Sequence, residues 1–98
     1  MIILGIDPGY AIVGYGLINK DSKGKLTALD YGVIETPKEE SFPLRLKIIR
    51  DSLIALIDKY KPDHIAVEEL FFNNNITTGI QVAEARGVLL CTAVQECG

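Results

Sequence analysis

Residues 2–9 read IILGIDPG and are the most informative segment for the architecture, because they join a nearly continuous apolar run to a tight turn through one acidic residue. A run such as Ile2 to Asp7 is typical of a central strand that is buried on both faces. Pro8 and Gly9 predict a turn directly after it, in which we expect glycine to take a positive φ. Asp7 thus ends a buried strand, where a carboxylate is costly unless a partner or a cation accompanies it.

A second apolar run, HIAVEEL at residues 64–70, also ends in acid. We predict a strand over this run. Because a helical segment precedes it, we expect it to pair in parallel with the first strand. Glu68 and Asp7 would then emerge at one edge of the sheet on strands about 4.8 Å apart. Adjacent strand residues point to opposite faces, so we expect Glu69 to have no special role.

Two carboxylates in that position could share one cation, and oxygen ligands select Mg²⁺ or Mn²⁺. Such chemistry suits cleavage of a phosphodiester. Spacing alone leaves open a plainer alternative, in which Asp7 caps its turn and Glu68 is a surface charge.

The other segments predict a mixed sheet in the α/β class. Two further strands with short connections indicate an antiparallel meander. A helix capped by Ser41, with Pro43 in its first turn, shows apolar residues at helical spacing and is stopped by Pro62. The predicted order is three antiparallel strands, helix, parallel strand and helix. The predicted ranges of the two further strands and the last helix are 12–19, 26–35 and 76–96.

Composition describes one small domain of 98 residues, with 48% hydrophobic and 23% charged residues. The net charge of −3 does not by itself indicate a nucleic-acid partner. Cys91 and Cys97 fall on different helical faces, which excludes a disulfide between them and fits no zinc spacing. No leader or membrane span is predicted, so we expect a cytoplasmic protein. The final residues look like an unfinished helix, which predicts a truncated chain.

The helix predicted over 76–96 has an apolar arc too wide for one sheet face to cover. Gly79, Ala83, Gly87 and Cys91 form a stripe of small side chains at i, i+4 spacing, which permits close approach of another backbone. We expect missing chain or another subunit to cover the remainder. Arg86 lies inside this arc, and pairing with a buried carboxylate is favoured over contact with a phosphate.

Two aromatic residues, Phe71 and Phe72, follow the acidic pair and lead into a polar loop. Aromatic side chains next to a metal site could stack on an unpaired base, and DNA binding is the role we assign to them. The alternative is that one or both of them fill the core.

The segments IILGIDPGY and VGYG, then RLKII, PDHIAVEELFF and QVAEARGV, resemble the RuvC family of Holliday-junction resolvases, in the ribonuclease-H-like superfamily. The resemblance runs along essentially the whole chain. It implies that residues 1–98 are the N-terminal portion of a single ribonuclease-H-like nuclease domain. It also implies that Asp7 and Glu68 are catalytic metal ligands, with two Mg²⁺ ions in each complete site. By the same resemblance, Phe71 probes the central base pairs and helix 76–96 forms a homodimer interface.

A member of that family is a metal-dependent endonuclease that resolves four-way DNA junctions by paired cleavage in recombination and repair, together with a branch-migration helicase. The family's further acidic residues on a C-terminal helix, and its basic DNA-gripping residues, have no counterpart in this sequence. We therefore predict that the 98-residue chain alone does not cleave junctions.

Three other functions stay open from the sequence. An actin- or sugar-kinase-type nucleotide-binding domain also opens with a strand and a phosphate turn, and ATP binding would reveal it. A ribonuclease-H-like nuclease acting on RNA shares the first-strand acid, and competition between four-way DNA and structured RNA would separate the two. A non-catalytic assembly module is the third.

Overall fold

The computed structural model describes residues 1–69 and 76–97 of the chain. Within them lie four strands and two helices, in the order that the sequence predicts. Their bounds are β1 Ile2–Asp7, β2 Ile12–Lys20, β3 Leu26–Glu35, α1 Phe42–Tyr60, β4 His64–Val67 and α2 Ile76–Cys97.

The strands form one sheet in the order β3-β2-β1-β4. β1, β2 and β3 make an antiparallel meander, because each connection between them is short. β4 lies parallel to β1 on its other side, after the crossover through α1. The predicted mixed sheet and the central place of β1 are thereby confirmed.

Both helices pack on one face of this sheet. Alternate residues of β1 point toward them, and Leu4 and Ile6 are 0% and 3% exposed. Ile3 and Gly5 point to the opposite face and stay partly exposed. The prediction that β1 is buried on both faces is therefore wrong for the described residues, because α1 and α2 cover the same side. The buried apolar cluster comprises Leu4, Ile6, Val13, Leu17, Ile34, Ile49, Leu53, Ile57, Ala85 and Leu89.

The ends of α1 follow from local chemistry. Ser41 is the N-cap, and its side-chain oxygen accepts a hydrogen bond from the backbone N–H of Leu44. At the other end Lys61 takes a left-handed conformation with φ of 48°, and its N–H donates to the Ile57 carbonyl. This cap lets the chain turn directly into Pro62 and β4.

β4 is shorter than predicted, since it ends at Val67 instead of continuing to residue 70. Glu68 and Glu69 follow the strand and are exposed. The described pairing with β1 stops at the Glu68 N–H, which donates to the Ile6 carbonyl. Residue 70 lies outside the described residues. Neither described helix combines the length and apolarity that crossing a lipid bilayer requires.

Candidate functional site

Asp7 and Glu68 come together at the end of two neighbouring strands. The parallel register pairs Gly5 with Ala66 and Ile6 with Val67, and one further step puts Glu68 beside Asp7. The backbone N–H of Glu68 donates to the Ile6 carbonyl at 3.0 Å, so the pairing extends to that residue. Both acids are exposed, and alternation places them on the face opposite the two helices.

Small residues form the surface of the sheet next to these acids. Gly5 pairs with Gly16 on β2 and with Ala66 on β4, and Gly14 pairs with Asp7, so all four lie on the face of the acids. A Cβ placed on Gly16 would meet no atom within 4 Å. The acids and these residues line an open cavity of about 510 Å³. The three glycines and Ala66 therefore leave space in front of the carboxylates for a bulky chain such as a phosphate backbone.

The turn after Asp7 is tight for a reason other than the one predicted. Gly24 is the glycine with a positive φ among the described residues, and Gly9 does not have one. A Cβ on Gly9 would lie 2.1 Å from the Ile12 carbonyl oxygen. Glycine is needed there because two backbone segments approach closely, so the expectation of a positive φ was wrong.

A side-chain network that the sequence did not reveal holds this turn. The Thr36 hydroxyl donates to the Tyr10 carbonyl, and the Thr36 N–H donates to the Ala11 carbonyl at 3.0 Å. Arg45 on α1 donates from Nε to the Thr36 hydroxyl oxygen at 2.8 Å, and its guanidinium lies 4.9 Å from the centre of the Tyr10 ring. Thr36 is 7% exposed, so this is a buried polar link between α1 and the segment that follows Asp7.

The donor set around the acids fits a hard divalent cation. Asp7 and Glu68 supply only oxygen, which Mg²⁺ and Mn²⁺ prefer. The ion pairs among residues 1–69 and 76–97 join Asp51 to Lys47 and Arg50, so neither site carboxylate is neutralised by a described basic side chain. No cluster of three or more metal-ligating side chains occurs in the same residues. Two carboxylates therefore fit part of a coordination shell, which water and phosphate oxygens can complete.

Arg86 reaches this site in an unexpected way. Its Nε donates to the main-chain carbonyl of Glu68 at 2.8 Å. The favoured prediction, a pair with a buried carboxylate, is wrong for the described residues, because the partner is a main-chain oxygen. Phe71 and Phe72, the predicted base-stacking residues, lie outside the described residues.

Comparisons with known proteins identify the family of the chain. A family model described as crossover junction endodeoxyribonuclease RuvC matches residues 3–98. The RuvC protein of Halothermothrix orenii is 52% identical over 95 residues, which cover 97% of this chain and 57% of that protein. The RuvC protein of Heliobacterium modesticaldum is 53% identical, with 97% and 58% covered. The chain thus spans somewhat more than half the length of the curated relatives it matches.

Among solved structures, Thermus thermophilus RuvC in complex with a Holliday junction substrate has a TM-score of 0.87 and 27% identity, with 98% of this chain and 61% of that chain covered. The predicted ribonuclease-H-like architecture is therefore confirmed over the part of the fold that the chain contains. Since the family model spans residues 3–98, nearly all of the sequence, this chain belongs to the RuvC family of crossover junction endodeoxyribonucleases.

Proposed function

We propose that this chain is the N-terminal portion of a nuclease domain that cleaves four-way DNA junctions, with Asp7 and Glu68 as catalytic metal ligands. The observation that carries the proposal is the register, which sets these two carboxylates side by side on the open face of the sheet. The family match adds the reaction class, and the Thermus thermophilus relative is described with a Holliday junction substrate.

The chain's own residues would hold the cation and leave it accessible to the DNA backbone. Asp7 and Glu68 would present oxygen ligands from two adjacent strands, with Mg²⁺ as the expected cation, Mn²⁺ as its alternative and two ions in a complete site. A divalent cation bound there supplies the charge that activates water and stabilises the leaving oxygen of a phosphodiester. The glycines beside the acids leave room for the DNA backbone, and we assign base contacts to Phe71 and Phe72.

The exposed face of α2 is a candidate surface for contact with a second copy of the chain. We propose that helix 76–96 forms a homodimer interface, since Ile80, Leu90 and Val94 on α2 are 52%, 40% and 73% exposed. A Cβ on Gly87 would meet no atom within 4 Å, so a second backbone has room to approach there. We also propose that the protein acts in the cytoplasm, in recombination and repair with a branch-migration helicase.

The sharpest test uses a chimera in which this chain replaces the matching part of the Halothermothrix orenii relative. We expect the chimera to cut a four-way junction, in preference to linear duplex, only with Mg²⁺ or Mn²⁺ present. Asp7→Asn and Glu68→Gln should each lower the cleavage rate by at least about 10³-fold while junction binding persists. Glu69→Gln is the matched control, because this neighbouring exposed acid has no assigned role, and it should cut normally.

The 98-residue chain by itself should bind the metal weakly and cleave nothing. Efficient cutting by that chain alone, or unchanged cutting by Asp7→Asn in the chimera, would contradict the assignment. The family match does not favour the nucleotide-binding or RNA-directed alternatives. Saturable ATP binding, or a preference for structured RNA over the junction, would restore one of them.

A further inference from the structure

The contact between Arg86 and Glu68 joins a helix to the end of the acid-bearing strand. Arg86 is half-buried on α2, directly after Ala85, which is 0% exposed in the core. Its Nε donates to the Glu68 carbonyl at 2.8 Å. A bond from a charged donor to a carbonyl is stronger than one between neutral groups, so this is a contact able to hold the backbone.

Glu68 needs such a contact because its strand is weakly supported. β4 has four residues and lies at the edge of the described sheet, paired only with β1. The N–H of Glu68 donates to the Ile6 carbonyl on β1. Its carbonyl has Arg86 as its hydrogen-bond partner. The two polar groups of this residue's main chain are therefore held from two different elements, β1 and α2.

We infer that Arg86 is a positioning residue, which fixes the main chain of Glu68 and thereby the place of the Glu68 carboxylate beside Asp7. The inference rests on the proposed function for its catalytic consequence. Arg86 acts through the carbonyl, so what matters is a donor at the position of its Nε and not the charge of the guanidinium alone. A displacement of about 1 Å at a reacting group is enough to cost about 10²-fold in rate.

Three substitutions separate the donor from the charge. Arg86→Gln keeps a neutral N–H donor at the same distance along the side chain as Nε. Arg86→Met keeps a similar length and removes both donor and charge. Arg86→Lys keeps the charge but moves the nitrogen one atom further out. Arg50→Met is the control, because Arg50 is an exposed arginine of α1 that pairs with Asp51.

The first measurement needs neither metal nor DNA. In the 98-residue chain, hydrogen exchange of the Glu68 amide reports how firmly the end of β4 is paired with β1. We expect Arg86→Met to speed that exchange by about tenfold, with little change at the centre of β1. Arg86→Gln should speed it less, and Arg50→Met should leave it as it is.

The second measurement uses the chimera described above. Arg86→Met should lower kcat for junction cleavage by about 10- to 100-fold at nearly constant KM. Arg86→Gln should recover part of the lost kcat. Arg86→Lys should recover no more of it than Arg86→Gln does. Arg50→Met should cut normally.

Two outcomes would overturn the inference. One is an unchanged Glu68 amide in a folded Arg86→Met chain. The other is a rise in KM in which Lys restores function and Gln does not, since that pattern belongs to a phosphate contact. If the amide responds as expected and no chimera cuts junctions, the proposed function fails while the role of Arg86 in placing Glu68 stands.

Discussion

Asp7 and Glu68 stand side by side, but the chain holds them in different ways. Asp7 ends β1, which has a hydrogen-bonded strand on each side. The turn after it is held by the network of Thr36, Arg45 and Tyr10. Glu68 follows a four-residue strand at the edge of the described sheet, where it is held by β1 and by Arg86. Among the described residues, Asp7 is placed by strands on both sides of β1, whereas Glu68 is placed by β1 on one side and by Arg86.

We therefore expect the position of the Glu68 carboxylate to be easier to shift by substitution than that of Asp7. Changes in the core of β1 beneath Asp7, as at Leu4, disturb the centre of the sheet and therefore the whole fold. Changes near Glu68 can shift one carboxylate while the core stays folded, because edge segments open at lower free energy than central ones.

The largest expected effect is on stability, and it comes from truncating core side chains of β1 and β4. Leu4 on β1 is 0% exposed, and its register partner Ile65 on β4 is half-buried against the same cluster. Leu4→Ala should lower the free energy of unfolding by about 2–5 kcal/mol. Ile65→Ala should lower it by about 1–2 kcal/mol, because less apolar surface is lost at the edge. Urea unfolding followed by circular dichroism measures both, and equal losses would remove the distinction between centre and edge.

A smaller effect is expected in the turn after Asp7. Gly9→Ala would place a methyl group 2.1 Å from the Ile12 carbonyl oxygen, so backbone must move. We expect a loss of about 1–3 kcal/mol in the free energy of unfolding. Gly16→Ala is the matched control, because its added Cβ meets nothing within 4 Å, and it should stay within about 1 kcal/mol of the parent. If Gly9→Ala were as stable as Gly16→Ala, close approach would not explain the glycine.

The smallest expected effect lies away from both acids, where Tyr60 of α1 donates to the Asp30 carboxylate of β3 at 2.5 Å. That hydrogen bond, with the N–H of Tyr31, holds the pKa of Asp30 below its ordinary value of 3.8. Asp30 in turn raises the pKa of Tyr60 above 10.0.

The signs of these two shifts set the pH dependence. Because the pKa of Asp30 is lowered in the folded state, its contribution to the free energy of unfolding is present above about pH 4 and is lost as pH falls through the folded-state pKa. Because the pKa of Tyr60 is raised in the folded state, its contribution to the free energy of unfolding is present below about pH 10 and is lost as pH rises through the folded-state pKa. Asp30→Asn should weaken both dependences in urea unfolding across that range. An unaltered pH profile would show that the pair adds nothing to stability.

Much of the fold follows from local patterns. The apolar spacing in α1, its Ser41 cap and the short connections of the meander act over a few residues, and the structure confirms each of them. β4 ends three residues before the predicted end, because the described pairing with β1 stops at the Glu68 N–H, where the apolar run also gives way to two exposed acids. Gly9 was misread because a glycine required by close approach looks the same in sequence as one required by a positive φ.

The side chains that support the site could not be predicted. Arg45 and Arg86 appear in the sequence as charged residues on apolar helices, and nothing local identifies their partners. Those partners are the hydroxyl of Thr36 and the main-chain carbonyl of Glu68, which are 9 and 18 residues away along the chain.

By itself the sequence determined the strand-turn at residues 2–9, the α/β order and the two acids at strand ends, since these depend on short-range periodicity and residue chemistry. Tertiary structure alone decided that Asp7 and Glu68 share one open face, because register is set by packing of Leu4 and Ile6 beneath the helices. It also decided that Arg86 reaches Glu68, since a hydrogen bond between distant segments exists only once the sheet and α2 have come together.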